Sequence, residues 1–308
     1  MNYHTGQVNS YAELLSELTE KMALKGWVAS QGIYSKNGIY VQLSASLANT
    51  GNSGLSIKMG TGQSGSNLTG YQAQSGARLG RPSAHGSFMD VAWPATFHIF
   101  INEQPEEVYV VLNFSVDRFY WMAFGKSDIP GLSGTGNWYA ACGTPTYDGS
   151  WQGGYLITPT NGLTSQNYSS GPWWVYESES AVAYSSHSIN TGLDGIEWSA
   201  GKGGTTLGAC GAPYGLASLP LGPAPWNLEA PLVPISVFSM RPESKLSLVL
   251  QVRHARYVRI ENYQPGQVIT LGHEQWKVFP FGRKNADSPT NGSGNHTGAF
   301  GWAIRYEE

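Results

Sequence analysis

The sequence predicts a mostly-β fold: a β-sandwich-like body with one N-terminal amphipathic helix and a smaller C-terminal β unit. Three observations predict it. Helical periodicity occurs once, near the start, and short apolar runs of strand length follow it. Three of them, Phe97–Ile101, Val108–Phe114 and Phe119–Phe124, are joined by connections too short for crossover helices and so read as antiparallel, and irregular Gly- and Pro-rich turns separate many of the others. Glycine reaches 39 of 308 residues and aromatics 12%, while charged residues are only 13% against roughly 25% in an average soluble protein. That composition excludes a disordered chain, and no Gly-X-Y period suggests collagen.

The helix is read over about residues 10–25. Ser10 is its cap, with Glu13 three residues on in the capping-box arrangement. Tyr11, Leu14, Leu15, Leu18 and Met22 share one face, and Gly26 supplies the left-handed residue that stops a helix. The outer face carries Glu13, Glu17, Glu20 and Lys21. Two readings follow for Tyr11, Leu14, Leu15 and Leu18: packing on the protein's own sheet, or assembly contacts with a neighbouring subunit.

Past Gly26 the period becomes that of strands. Trp27–Ala29, Ile33–Tyr34 and Ile39–Leu43 are short β runs, and Asn37-Gly38 is a hairpin signal. Residues 44–87 are rich in Ser, Gly, Asn and Gln, with Leu55–Met59 as a brief strand. Phe97–Ile101, Val108–Phe114 and Phe119–Phe124 form an antiparallel meander, the last preceded by Asp117 and Arg118. Residues 125–235 are dense in Gly, Pro, Trp and Tyr, with strand candidates at Tyr155–Thr158, Trp173–Tyr176 and Ala181–Tyr184. Leu246–Val252, Tyr257–Glu261, Val268–Leu271, Trp276–Phe281 and Phe300–Tyr306 complete the C-terminal unit, with turns at Pro265-Gly266 and Gly272–Glu274. The expected division is residues 1–26, 27–244 and 245–308.

Searches for chemistry return little. Gly60, Gly62 and Gly65 match a dinucleotide pattern, but Ser66-Asn67-Leu68-Thr69-Gly70 is no amphipathic helix to bind a phosphate. The seven histidines include no H-E-x-x-H pair, and there is no G-x-S-x-G elbow. Asp194 and Glu197 are the best carboxylate pair; three apart, they diverge in a strand and converge in a turn. Trp138, Trp151, Trp173 and Trp174 sit in turn-rich sequence and are candidate platform aromatics for a sugar, or else core and interface residues. Cys142 and Cys210 are too few for a disulfide framework. Balanced charge, with 18 basic and 21 acidic residues, gives no footprint for nucleic acid, and no apolar run is long enough for a membrane helix. The N-terminal residues do not read as a secretory signal. The expectation is therefore a non-enzyme with no cofactor and no metal.

Several segments resemble a group of tailed-bacteriophage virion proteins. They are Tyr3-His4-Thr5-Gly6, the Leu14-Leu15 helix with Gly26-Trp27, Phe97-His98-Ile99-Phe100, Glu107-Val108-Tyr109-Val110-Val111 and Phe119–Gly125. Near the end come Gly272, Trp276-Lys277-Val278-Phe279-Pro280, Arg283 and Gly301-Trp302-Ala303-Ile304-Arg305. The similarity covers most of the chain, thins over residues 44–87 and 200–240, and rests on structural residues. It implies a structural component of the virion, of tail-tip or baseplate type, assembled in the host cytoplasm with copies of itself and other virion proteins as partners. The alternatives are a module binding host-surface glycan or receptor, and a neck or head-surface decoration protein.

Overall fold

The Glu13 N–H donates to Ser10 Oγ at 3.1 Å, and the Glu13 carboxylate accepts from the Asn9 N–H at 2.7 Å. The reciprocal bond thus reaches one residue before the cap instead of the cap itself. The helix α1 runs Tyr11–Leu24 and ends where Gly26 takes φ +79°. The structure, a computed structural model, describes residues 2–46, 53–71, 77–80, 91–142, 187–200, 207–212, 229–282, 284 and 300–308. The strand candidates at 155–158, 173–176 and 181–184 lie outside them.

The strands are β1 (Tyr3–Val8), β2 (Val28–Ser30), β3 (Ile33–Lys36), β4 (Ile39–Ser46), β5 (Gly54–Gly60), β6 (Gly62–Ser64), β7 (Asn67–Thr69), β8 (Ala77–Gly80), β9 (Ala95–Asn102) and β10 (Glu107–Ser115). They continue as β11 (Arg118–Lys126), β12 (Asn137–Ala141), β13 (His187–Leu193), β14 (Ile196–Ala200), β15 (Cys210–Gly211), β16 (Val233–Met240), β17 (Leu246–Arg259), β18 (Val268–Leu271), β19 (Glu274–Pro280) and β20 (Phe300–Tyr306). The protein is mostly β, with α1 the one α-helix among the described residues.

Three larger sheets result. A seven-stranded sheet has the order β1-β9-β10-β11-β12-β13-β14, a six-stranded sheet β15-β16-β17-β20-β19-β18, and a five-stranded sheet β2-β3-β4-β5-β8. All strand ladders among the described residues are antiparallel: short connections require it of hairpins such as β3–β4 and β10–β11, and it holds equally for β1–β9 and β17–β20, which are far apart in sequence. Turn chemistry sets the register. Asn37 and Gly38 both take positive φ, and so do Gln31-Gly32 and Asp194-Gly195, the backbone that two-residue hairpins need.

The seven-stranded sheet is covered on both faces. Val108–Leu112 and Phe119–Phe124 are buried at every position, the continuous pattern of a doubly covered strand. On one side Trp27 meets Phe124 edge-on at 5.7 Å, and α1 packs against β1, β4, β5 and β9. On the other, Trp302 lies edge-on to Tyr109 at 5.6 Å and to Trp121 at 5.2 Å, and Phe279 meets Phe100 at 6.0 Å. Aromatic pairs of this kind add about 0.5–1.5 kcal/mol each beyond the area they bury.

The expected boundary at residue 245 falls inside a sheet. β16 lies before it and pairs along its length with β17 beyond it. Leu246–Val252 and Tyr257–Glu261, expected as two strands, are one strand bent by a break in register between Ile235↔Val252 and Pro234↔Arg256. Nor does the first segment stand apart, since β1 pairs with β9 and the Asn2 N–H donates to the Glu307 carbonyl at 3.1 Å.

Candidate functional site

The most developed cluster of ionisable groups among the described residues lies where β10 meets the bend of β17. The register break leaves residues 253–255 without partners on β16, freeing their backbone groups. The Glu107 carboxylate takes two of the donors, accepting the Arg253 N–H at 2.9 Å and the His254 N–H at 2.8 Å. Tyr109 Oη–H donates to it at 2.5 Å. Arg256 serves the carbonyls of the same bend: Nη1 donates to Val252 at 3.0 Å, Arg253 at 2.9 Å and Ala255 at 2.7 Å. Its guanidinium lies over the Trp276 ring at 5.0 Å. The Arg253 side chain turns outward to Asp128 at 2.9 Å. One carboxylate and one guanidinium thus replace the ladder hydrogen bonds that the bend removes.

Glu107 has none of its surface exposed. Burial pushes its carboxyl up to about 7, while Tyr109, the two backbone donors and Arg256 pull it down. Burial also lowers the His254 imidazole to about 4, with Arg305, Arg256 and Arg253 adding to the effect. His98 and His187 are lowered to about 4 by burial as well. Through its hydrogen bonds to Arg253 and His254, the Glu107 carboxylate of β10 joins its sheet to β17 of the six-stranded sheet. A glutamate opening an apolar run was the only sequence signal, and partners 146 and 147 residues away are invisible from it.

The residues singled out from sequence are placed as follows. Tyr11, Leu14 and Leu18 are buried in the protein's own core, and Leu15 packs partly buried against it. The outer side of α1 is mixed: Lys21 is bound to Glu20 at 2.7 Å and Glu17 at 3.7 Å, and Ala12, Ser16, Ala23 and Leu24 are exposed beside them. Trp138 stands in β12 between Gly125 of β11 and Ile189 of β13 and is buried, so it offers no open platform. Trp151, Trp173 and Trp174 lie outside the described residues.

Asp194 and Glu197 have separate tasks. Asp194 pairs with Arg241 through both carboxylate oxygens, one at 2.6 Å, and that hydrogen bonding holds it below the usual carboxylate range. Glu197 borders Gly70, where a Cβ would stand 3.2 Å from its Oε1. Its neighbour Trp198 donates to the Gly70 carbonyl at 2.8 Å. Cys142 and Cys210 are both buried thiols, and burial pushes the Cys142 thiol up to about 11. Among the described residues, no group of three or more His, Cys, Asp or Glu side chains is placed to hold a metal ion. No described helix is long and apolar enough to cross a membrane. No family model matches this chain, and no curated protein matches its sequence.

Proposed function

We propose that the chain is a structural component of a tailed-phage virion, of tail-tip or baseplate type, acting through protein–protein contacts. One observation carries this reading: the segments that bear the resemblance are the segments that pack on one another. Phe100 of β9, Tyr109 of β10 and Trp121 of β11 meet Phe279 of β19 and Trp302 of β20. Gly301 has no side chain because a Cβ there would overlap the Phe279 carbonyl oxygen. What the resembling segments share is a load of core contacts, suited to a scaffold. We read the seven- and six-stranded sheets as the two layers of a sandwich-like body, joined at one seam by the parallel bridge Ala200–Ala209. Its partners in this reading are copies of itself and other virion proteins, with assembly in the host cytoplasm.

The test is to purify particles from a culture expressing the chain with its phage, and to probe them by mass spectrometry and immunogold labelling. A fixed copy number and label at the tail are expected. Particles lacking the chain would overturn the reading, and label at the neck or head would move it there. Particles that lose host binding on addition of free glycan would instead favour a receptor-binding module.

A further inference from the structure

We propose that Asn37-Gly38 is a site of intramolecular deamidation, at which the β3–β4 turn irreversibly gains a carboxylate against Glu106 and so loosens the seam between two sheets. The inference does not depend on the virion reading. The β3–β4 ladder closes on Lys36↔Ile39, so the Gly38 N–H stands outside it. Both turn residues are exposed. With no Cβ on Gly38, its amide nitrogen approaches the Asn37 side chain unhindered.

The reaction needs no reagent but water. The Gly38 amide gives up its proton to solvent base, and its nitrogen attacks Asn37 Cγ. That N–C bond forms, the Cγ–Nδ2 bond breaks, and ammonia leaves with a proton taken from water. Water then opens the cyclic imide at either carbonyl, leaving aspartate or isoaspartate at position 37.

Residues of the seven-stranded sheet and its β9–β10 turn hold this hairpin turn, and one of them activates it. Lys126 Nζ of β11 donates to the Asn37 carbonyl at 2.9 Å, and a Cβ on Gly38 would stand 3.2 Å from the same ammonium. That carbonyl belongs to the amide whose N–H must ionise, so the ammonium stabilises the forming anion. Asn137 Nδ2 of β12 donates to the Gly38 carbonyl at 3.0 Å. Glu106, in the β9–β10 turn and only 14% exposed on its side chain, accepts from Asn37 Nδ2 and pairs with Lys36 at 3.8 Å. Deamidation turns the Asn37–Glu106 hydrogen bond into a contact of two carboxylates. Lys36, which would offset them, already pairs with Glu103 at 2.7 Å. The five-stranded sheet thus loses an anchor to the seven-stranded one.

Peptide mapping by mass spectrometry on the full chain, sampled during incubation at neutral and alkaline pH, tests this. It separates Asn37 from the two other Asn-Gly pairs, Asn161-Gly162 and Asn291-Gly292. Conversion at Asn37 in the folded protein is expected, faster at the higher pH, with isoaspartate among the products. Lys126→Met should slow it at least about 10-fold, the scale of one charge-assisted hydrogen bond, and Lys126→Arg should retain the rate. In urea, where the turn is gone, all three proteins should convert alike. Asn37→Asp should lower the melting temperature, and adding Glu106→Gln should restore most of the loss, since the introduced amide donates to the introduced carboxylate. A folded chain whose Asn37 stays intact while the urea-unfolded chain converts overturns the proposal. So does a Lys126→Met rate equal to that of the wild type, or an Asn37→Asp protein as stable as the wild type.

Discussion

Gly125 stands directly across the β10–β11 ladder from Glu107, and the space above it is closed by backbone. A Cβ on Gly125 would overlap the Glu106 carbonyl oxygen and come within 3.1 Å of Glu107 Cα. The absence of a side chain in β11 is thus what lets the carboxylate of β10 sit close enough to reach β17. Gly125→Ala should destabilise the protein by about 1–3 kcal/mol through overpacking. Urea denaturation followed by tryptophan fluorescence would measure it, and an unchanged midpoint would mean the ladder shifts freely there.

Glu107 can be separated from mere space-filling by two substitutions. Glu107→Ala takes the acceptor from the buried His254 N–H and the part-buried Arg253 N–H and leaves Glu274 as the remaining carboxylate acting on Arg256, at a cost of about 3–5 kcal/mol. Glu107→Gln keeps one acceptor oxygen and should cost less than half of that. Equal losses from the two would assign the effect to packing.

The same residue shapes the pH profile. A carboxyl raised from 4.5 to about 7 on folding stabilises the protein fully below pH 4.5, and that contribution is lost as pH rises through 7. His98, His187 and His254, lowered from 6.5 to about 4, act oppositely. Their contribution is complete above pH 6.5 and is lost as pH falls through 4. Between pH 4.5 and 6.5 three histidines oppose one glutamate, so the melting temperature should fall on acidification. In Glu107→Gln the opposing contribution is gone, and the acid loss should steepen by up to about one proton's worth of slope. Calorimetry in steps from pH 4 to 8 checks this, and parallel curves for the two proteins would refute it.

Trp138 should behave as a core residue in any glycan experiment. Trp138→Ala should cost about 3–5 kcal/mol by emptying a buried site in β12. Substitutions of Trp173 and Trp174 are the informative ones for sugar binding. A Trp138→Ala protein with unchanged stability and lost glycan binding would place Trp138 at a ligand surface instead.

Gly38 tests the hairpin that sequence makes most visible. Its φ of +80° and the left-handed Asn37 before it mean that Gly38→Ala should cost about 1–2 kcal/mol, seen as a lowered melting temperature. A stabilised variant would show that the turn relaxes to another type.

Much of the fold was legible because it follows local rules. Ser10, Gly26 and the Leu14–Leu18 spacing define α1, and Asn37-Gly38 defines the β3–β4 turn. The β9–β11 meander is written as three apolar runs. Other strands carry no such mark. β13 and β14 bury polar side chains: Ser188 Oγ donates to the Ser199 carbonyl at 2.9 Å, and Ser199 Oγ lies 3.0 Å from Ser239 Oγ on β16. A strand whose inward positions are Ser, Asn and Thr has no hydrophobic period to read. β1 hides for a different reason. Gly6 lacks a side chain because a Cβ there would lie 3.0 Å from the Phe97 ring, a contact from 91 residues away in sequence. The candidate site was the least visible part, since Glu107 acquires its meaning only from a bend in β17.

The double covering of β9–β11 has a consequence for how the chain is made. The aromatic face formed by Phe100, Tyr109 and Trp121 is closed by Phe279 and Trp302. Synthesis therefore leaves that face uncovered until Trp302, 181 residues after Trp121, has emerged from the ribosome. For roughly the time needed to add 180 residues, at about 5–20 residues per second, a sticky surface must be shielded from neighbouring nascent chains. Productive yield in a crowded cell then depends on chaperone capacity and expression rate as much as on the stability of the finished molecule.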